Sequence, residues 1–274
     1  MRRNPRLRTP LRIIGAGAAI LTLLVASAVM TVGLLGRRHG VPPDTAQSVP
    51  SATDSRATTA TPEPSNPSGQ PGIRKSELDA EVARLRATPT ADATSPLPRI
   101  TGDAAQQPDL YAAAFTTQLL TQDYRRLREQ WVSWVQAESA RTEEPLVIGL
   151  VPADLRDRWA AFSVTDAHDG PAPIPTAREW ARLAAQAGRT SVRIQRVTEP
   201  MAWTNAVEAG RITDPGITAR IVSAEVILTT TVDGHTETAT TSVELGLEFE
   251  GPPSRGHWGF VGAVTYTAIP MGQS

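Results

Sequence analysis

Apolar residues recur at helical spacing up to Gly188 and at strand spacing after it, which predicts an α+β fold: helices packed on one face of a curved antiparallel sheet. Two further observations place that domain at the end of a longer layout. An uncharged apolar stretch near the N-terminus predicts a single transmembrane helix, and a proline-rich segment after it predicts a disordered tether. The expected order is a basic cytoplasmic tail over 1–12, the membrane helix over 13–36, the tether over 37–108 and the extracytoplasmic α+β domain over 109–270.

The membrane helix rests on length and charge. Ile13 to Gly36 reads IIGAGAAILTLLVASAVMTVGLLG, without a charged residue, and as a helix would cover about 36 Å, more than the ~30 Å hydrocarbon core. Arg2, Arg3, Arg6, Arg8 and Arg12 precede it and Arg37 and Arg38 follow it, so the positive-inside bias puts the N-terminus in the cytoplasm. Ala26-Ser27-Ala28 has the form of a signal-peptide cleavage site. The apolar run continues past it through Val29 to Leu35, longer than the usual 7–15 residues of a signal peptide, which favours an uncleaved anchor. Gly15 and Ala19 would let two such helices approach closely, in line with a homo-oligomer.

The tether is a matter of composition. Pro42, Pro43, Pro50, Pro62, Pro64, Pro67 and Pro71 stand among Ser, Thr, Ala and Gly, with too little apolar surface to offset the entropy of ordering. Within it, Ser76 to Ala87 carries Leu78, Val82 and Leu85 at helical spacing. That short helix is either a docking or coiled-coil element or a chance helix in the spacer. Pro89, Pro96, Pro98 and Pro108 keep the chain irregular up to the domain.

Asp109 is a suitable N-cap for a long amphipathic helix bearing Tyr111, Phe115, Leu119, Leu120, Tyr124, Leu127, Trp131 and Val135, with a break expected near Thr121-Gln122-Asp123. A second helix from about Pro152 carries Leu155, Trp159 and Phe162. A third, Thr176 to Ala187, carries Trp180 and Leu183, with Gly188 as its C-cap. Val192 and Ile194 then alternate with Arg193 and Gln195 as a first strand. Val222–Val232 and Ala239–Phe249 alternate around the Asp233-Gly234 hairpin signal, and Trp258–Tyr266 completes a three-stranded meander after Gly251-Pro252-Pro253. One polar face per strand is what a sheet covered by helices on one side requires.

Charge and chemistry exclude much. The net charge is −1, but the first 38 residues carry +7 and the rest −8, so the body is acidic and offers no polycation for sequence-specific nucleic-acid binding. With no cysteine there is no disulfide, catalytic thiol or thiolate zinc site. His39, His168, His235 and His257 are not spaced as metal ligands, and Asp166-x-His168-Asp169 reads as a turn. No phosphate loop, nucleophile elbow or HExxH motif is present. The sequence nominates no catalytic, cofactor or metal residue. It leaves Asp109, Asp123 and Glu225 as exposed acids and reads Arg125-Arg126-x-Arg128 as a solvated helix face. Of six tryptophans, Trp131 and Trp134 stand three apart, about 300° around a helix, so one of them is a candidate interface anchor.

The stretches Ala112–Val135 (AAAFTTQLLTQDYRRLREQWVSWV), Arg178–Pro200 (REWARLAAQAGRTSVRIQRVTEP) and Asp214–Gly234 (DPGITARIVSAEVILTTTVDG), set behind a basic tail, one span and a tether, resemble a known family. These are the VirB-eight-type bitopic assembly proteins of type IV secretion and conjugation machines, including those of actinobacterial conjugative elements. The resemblance covers roughly residues 105–270. It implies a nuclear-transport-factor-2-like cone, no enzymatic activity, self-association, and contacts with other secretion-channel subunits at the cell membrane. The tether here is longer and richer in proline than in Gram-negative members. The accessory membrane proteins of mammalian-cell-entry lipid transporters share the layout and are the alternative, as is a cone that binds a small ligand.

Overall fold

The computed structural model describes residues 75–140, 142, 151–167 and 170–273. The expected tail, membrane helix and first half of the tether lie outside these residues, as do His168 and Asp169. Among the described residues no helix is long and apolar enough to cross a membrane.

Among the described residues six α-helices and four strands follow in order: α1 (Lys75–Ala87), α2 (Pro108–Leu120), α3 (Arg128–Glu138), α4 (Arg156–Thr165), α5 (Ala177–Ala185), β1 (Arg189–Thr198), α6 (Met201–Glu208), β2 (Ile217–Val232), β3 (His235–Glu250) and β4 (Gly259–Gln273). The strands form one antiparallel sheet in the order β1-β2-β3-β4, so the α+β prediction holds. Asp233 (φ 52°) and Gly234 (φ 81°) both take left-handed backbone, giving the tight turn that pairs Val232 with His235. β2 and β3 run 16 residues each, and the tip of their hairpin is exposed.

One face of the sheet holds the core. Val222, Val243, Leu245, Leu247 and Phe249 meet Tyr111, Phe115 and Leu119 of α2 and Trp134 and Val135 of α3. Phe115 is the hub: its ring stacks on Phe260 at 4.3 Å and Trp134 at 5.1 Å, while Phe249 meets Tyr111 edge-on at 5.2 Å. A second cluster joins Leu85, Leu155, Trp159 and Phe162 to Val261 and Val264, so α4 closes the β4 side. A third puts Trp203 and Ala206 of α6, a helix the sequence reading lacked, against Ile217 and Ala219 on the other sheet face.

Several local expectations change. Pro108 occupies the first turn of α2 and Gln107 its N-cap, as suits a residue with no N–H to donate. Asp109 pairs instead with Arg220 at 2.5 Å. Thr176 caps α5 by accepting from the Glu179 N–H at 3.3 Å. At that helix's far end Ala187, not Gly188, takes the left-handed turn (φ 48°). Gly188 is needed for space, since a Cβ there would lie 2.9 Å from the Leu183 carbonyl oxygen and 3.1 Å from the Tyr124 ring.

The folded body also begins before Asp109. α1 docks on its own chain: Leu85 is buried, and the Arg158 guanidinium donates to the carbonyls of Arg86 and Thr88 at 2.6 and 2.7 Å. The irregular strap that follows lies along α3. Leu97 is buried in the main core, Ser95 Oγ donates to the Gln130 carbonyl at 3.0 Å, and the Pro98 carbonyl accepts from Trp134 Nε1 at 3.0 Å. Proline content made the strap look like spacer, but its backbone finds partners that its composition does not reveal.

Candidate functional site

The aromatic packing between helices and sheet surrounds a buried carboxylate. Glu138, at the end of α3, is 2% exposed and accepts hydrogen bonds from Arg99 Nε, from the Ile100 N–H at 3.1 Å and from Tyr111 Oη at 3.0 Å. Three donors, one of them charged, satisfy a carboxylate that burial alone would strongly destabilise. The same burial, with Glu138 beside it, raises the Tyr111 phenol well above its ordinary pKa. This arrangement is a clamp fastening the strap to the core.

A second buried acid is Glu248 on β3, facing away from Leu247 and Phe249. Its cross-strand neighbours are Ala219, under α6, and Gly262. A Cβ on Gly262 would lie 2.1 Å from Trp159 Nε1, so the indole edge of α4 sits where a side chain would be. That indole N–H is itself buried with no acceptor. Burial pushes the Glu248 carboxyl up to about 7.

The surface cavity of interest is a cleft of about 330 Å³ at the corner where α2 turns into α3 and β1 begins. Its walls include Gln118, Thr121, Gln122, Asp123, Arg125, Arg126, Trp131 and Arg189. The corner is held rigidly. Asp123 and Arg189 form an isolated antiparallel backbone β-bridge, the Thr190 N–H donates to the Gln122 carbonyl and the Gln122 N–H to Thr190 Oγ1, both at 2.8 Å. The buried Gln122 amide donates to the carbonyls of Leu119 and Pro173, each at 2.8 Å. Trp131 donates through Nε1 to the Thr121 carbonyl at 3.2 Å and carries the Arg126 guanidinium 5.5 Å above its ring.

Charge in the cleft is unbalanced. Arg125 grips Asp123 with two bonds, Nε to Oδ1 at 2.8 Å and Nη2 to Oδ2 at 2.6 Å, and this holds the Asp123 carboxyl below its ordinary pKa. Arg126 and Arg189 have no carboxylate partner among the described residues.

Asp109, Asp123 and Glu225, which the sequence left as exposed acids, all sit in surface ion pairs, with Arg220, Arg125 and Arg193. Trp131 and Trp134 are both buried, at 2% and 0% exposure, so neither is an exposed anchor; Trp131 nevertheless lines the cleft. The strap covers the side of α3 that a one-faced helix would leave in water. The triple-arginine run is not a helix face: Arg125 and Arg126 lie in the turn before α3, and Arg128 opens the helix and donates to the Pro175 carbonyl at 2.7 Å. That run was the available signal for the cleft, but Arg189, more than sixty residues away, could not be joined to it from spacing. Among the described residues no group of three or more His, Asp or Glu is placed to hold a metal ion. Comparison with protein-family models, with curated proteins and with solved structures gives no match.

Proposed function

We propose that this chain is a non-enzymatic structural subunit, held in the membrane by Ile13–Gly36, that works by protein–protein assembly in a conjugative, type IV secretion-like DNA-transfer channel. The carrying observation is how the interior is used. Rings of Tyr111, Phe115, Trp134, Phe249 and Phe260 occupy the space between helices and sheet, and the Glu138 carboxylate beside them is engaged by three donors. An interior of that kind favours a scaffold over a cone built around a small ligand. Helices followed by a four-stranded antiparallel meander are also the arrangement expected of a nuclear-transport-factor-2-like cone. The accessory-subunit reading, in lipid transport, is the alternative on the same layout.

The test is cross-linking in cells of the full-length chain, with identification of its partners, alongside a topology reporter on the C-terminus. Recovery with a membrane ATPase and a coupling protein is the expected result. Recovery with a lipid-transport permease would replace the proposal with the alternative. A chain trimmed after Ala28 and free in the medium, or a cytosolic C-terminus, would overturn both.

A further inference from the structure

The geometry points to a phosphate-binding site in the cleft at the α2–α3 corner, with Arg126 and Arg189 as its cationic arms. Two arginines from segments far apart in sequence line the same cavity, and the one acid on its wall, Asp123, is already engaged by Arg125. An anion entering there meets two arginines without an ion-pair partner among the described residues, while the Asp123 carboxylate, gripped by Arg125, acts on Arg126 only through space. Stacking on the Trp131 ring orients Arg126 before any ligand arrives, which lowers the entropy lost when its planar fork engages an oxyanion. Thr121 and Gln118 add a hydroxyl and an amide to the walls.

Donor side chains drawn from α2, the turn after it and β1 suit a tetrahedral anion with three or four oxygens better than a flat carboxylate with two. A volume of about 330 Å³ exceeds a bare phosphate and leaves space for an organic substituent. The shared chemistry is therefore a phosphate group carried by a small organic molecule or by a lipid headgroup. The corner is cross-bonded through Gln122 and Thr190, so the backbone that carries the two arms is fixed without a ligand.

The full-length chain in detergent would be titrated with inorganic phosphate and with glycerol phosphate, and separately mixed with phosphatidic-acid and phosphatidylcholine vesicles. Saturable binding of a soluble phosphate assigns a free ligand. Binding confined to phosphatidic-acid vesicles assigns a headgroup. Either is expected to weaken about tenfold or more in Arg126→Gln/Arg189→Gln. Arg196→Gln removes an exposed charge seven residues farther along β1 and is expected to leave binding unchanged. Should the double variant misfold, Arg126→Lys keeps the charge but loses the fork, and a severalfold loss is expected. Equal binding by wild type and double variant, an equal loss in Arg196→Gln, or no saturable binding to any probe would overturn the proposal.

Discussion

Two buried glutamates behave in opposite ways, and the difference lies in what faces them. Glu138 is ringed by Arg99, the Ile100 N–H and Tyr111, so removing it leaves the amide and the buried phenol without their acceptor and frees the half-exposed Arg99 from the core. Glu138→Ala is expected to cost about 3 kcal/mol, read as a lower urea midpoint. Glu248 is dominated by desolvation, which lifts its pKa from 4.5 to about 7. The native chain therefore holds a proton that the unfolded chain has released between those two values. Stability from the neutral acid is complete below the lower value and lost as pH rises through the higher one, by up to roughly 3 kcal/mol. Glu248→Gln, neutral at every pH, should unfold at higher denaturant than wild type at pH 8, with the advantage shrinking toward pH 5. A pH-independent difference would contradict this account.

At the scale of elements, close approach decides more than propensity does. α4 closes on β4 because position 262 is glycine, leaving room for the Trp159 indole edge. Gly262→Ala should cost about 2 kcal/mol or more through forced repacking, whereas Gly170→Ala, with nothing within 4 Å of the added carbon, should be neutral. Thermal unfolding of the two variants checks the contrast. The β2–β3 hairpin and the alternation of Val222–Leu228 and Val243–Phe249 were legible because a period of two and a left-handed Asp-Gly turn are local properties. The burial of both Trp131 and Trp134 was not, since Trp134 is met by the Pro98 carbonyl of a proline-rich strap that the sequence joins to the tether, and Trp131 by Trp180 from a distant helix.

For the molecule as a whole, the consequence is a moved boundary. A chain beginning at residue 109 would lack Leu97 from the core, the Pro98 carbonyl that accepts from Trp134, and two of the three donors to Glu138. It is expected to show no cooperative transition in denaturant, while one beginning at residue 75 unfolds in a single step. Equal cooperativity of the two would show the strap to be dispensable. The same boundary shortens the spacer between the proposed membrane helix and the body, and α1, docked on Trp159 and Phe162, becomes part of the body instead of a free oligomerising element.

The amino-acid sequence by itself determined the α+β class and the antiparallel meander, because hydrophobic period and turn chemistry are written within a few neighbouring residues. Tertiary structure alone decided which buried acids are clamped and which are merely desolvated, and which arginines meet in one cleft. Those properties depend on groups brought together from segments tens of residues apart, such as Arg99 with Glu138 and Arg126 with Arg189. Burial and Coulomb energy depend on distance in space, which no local pattern encodes.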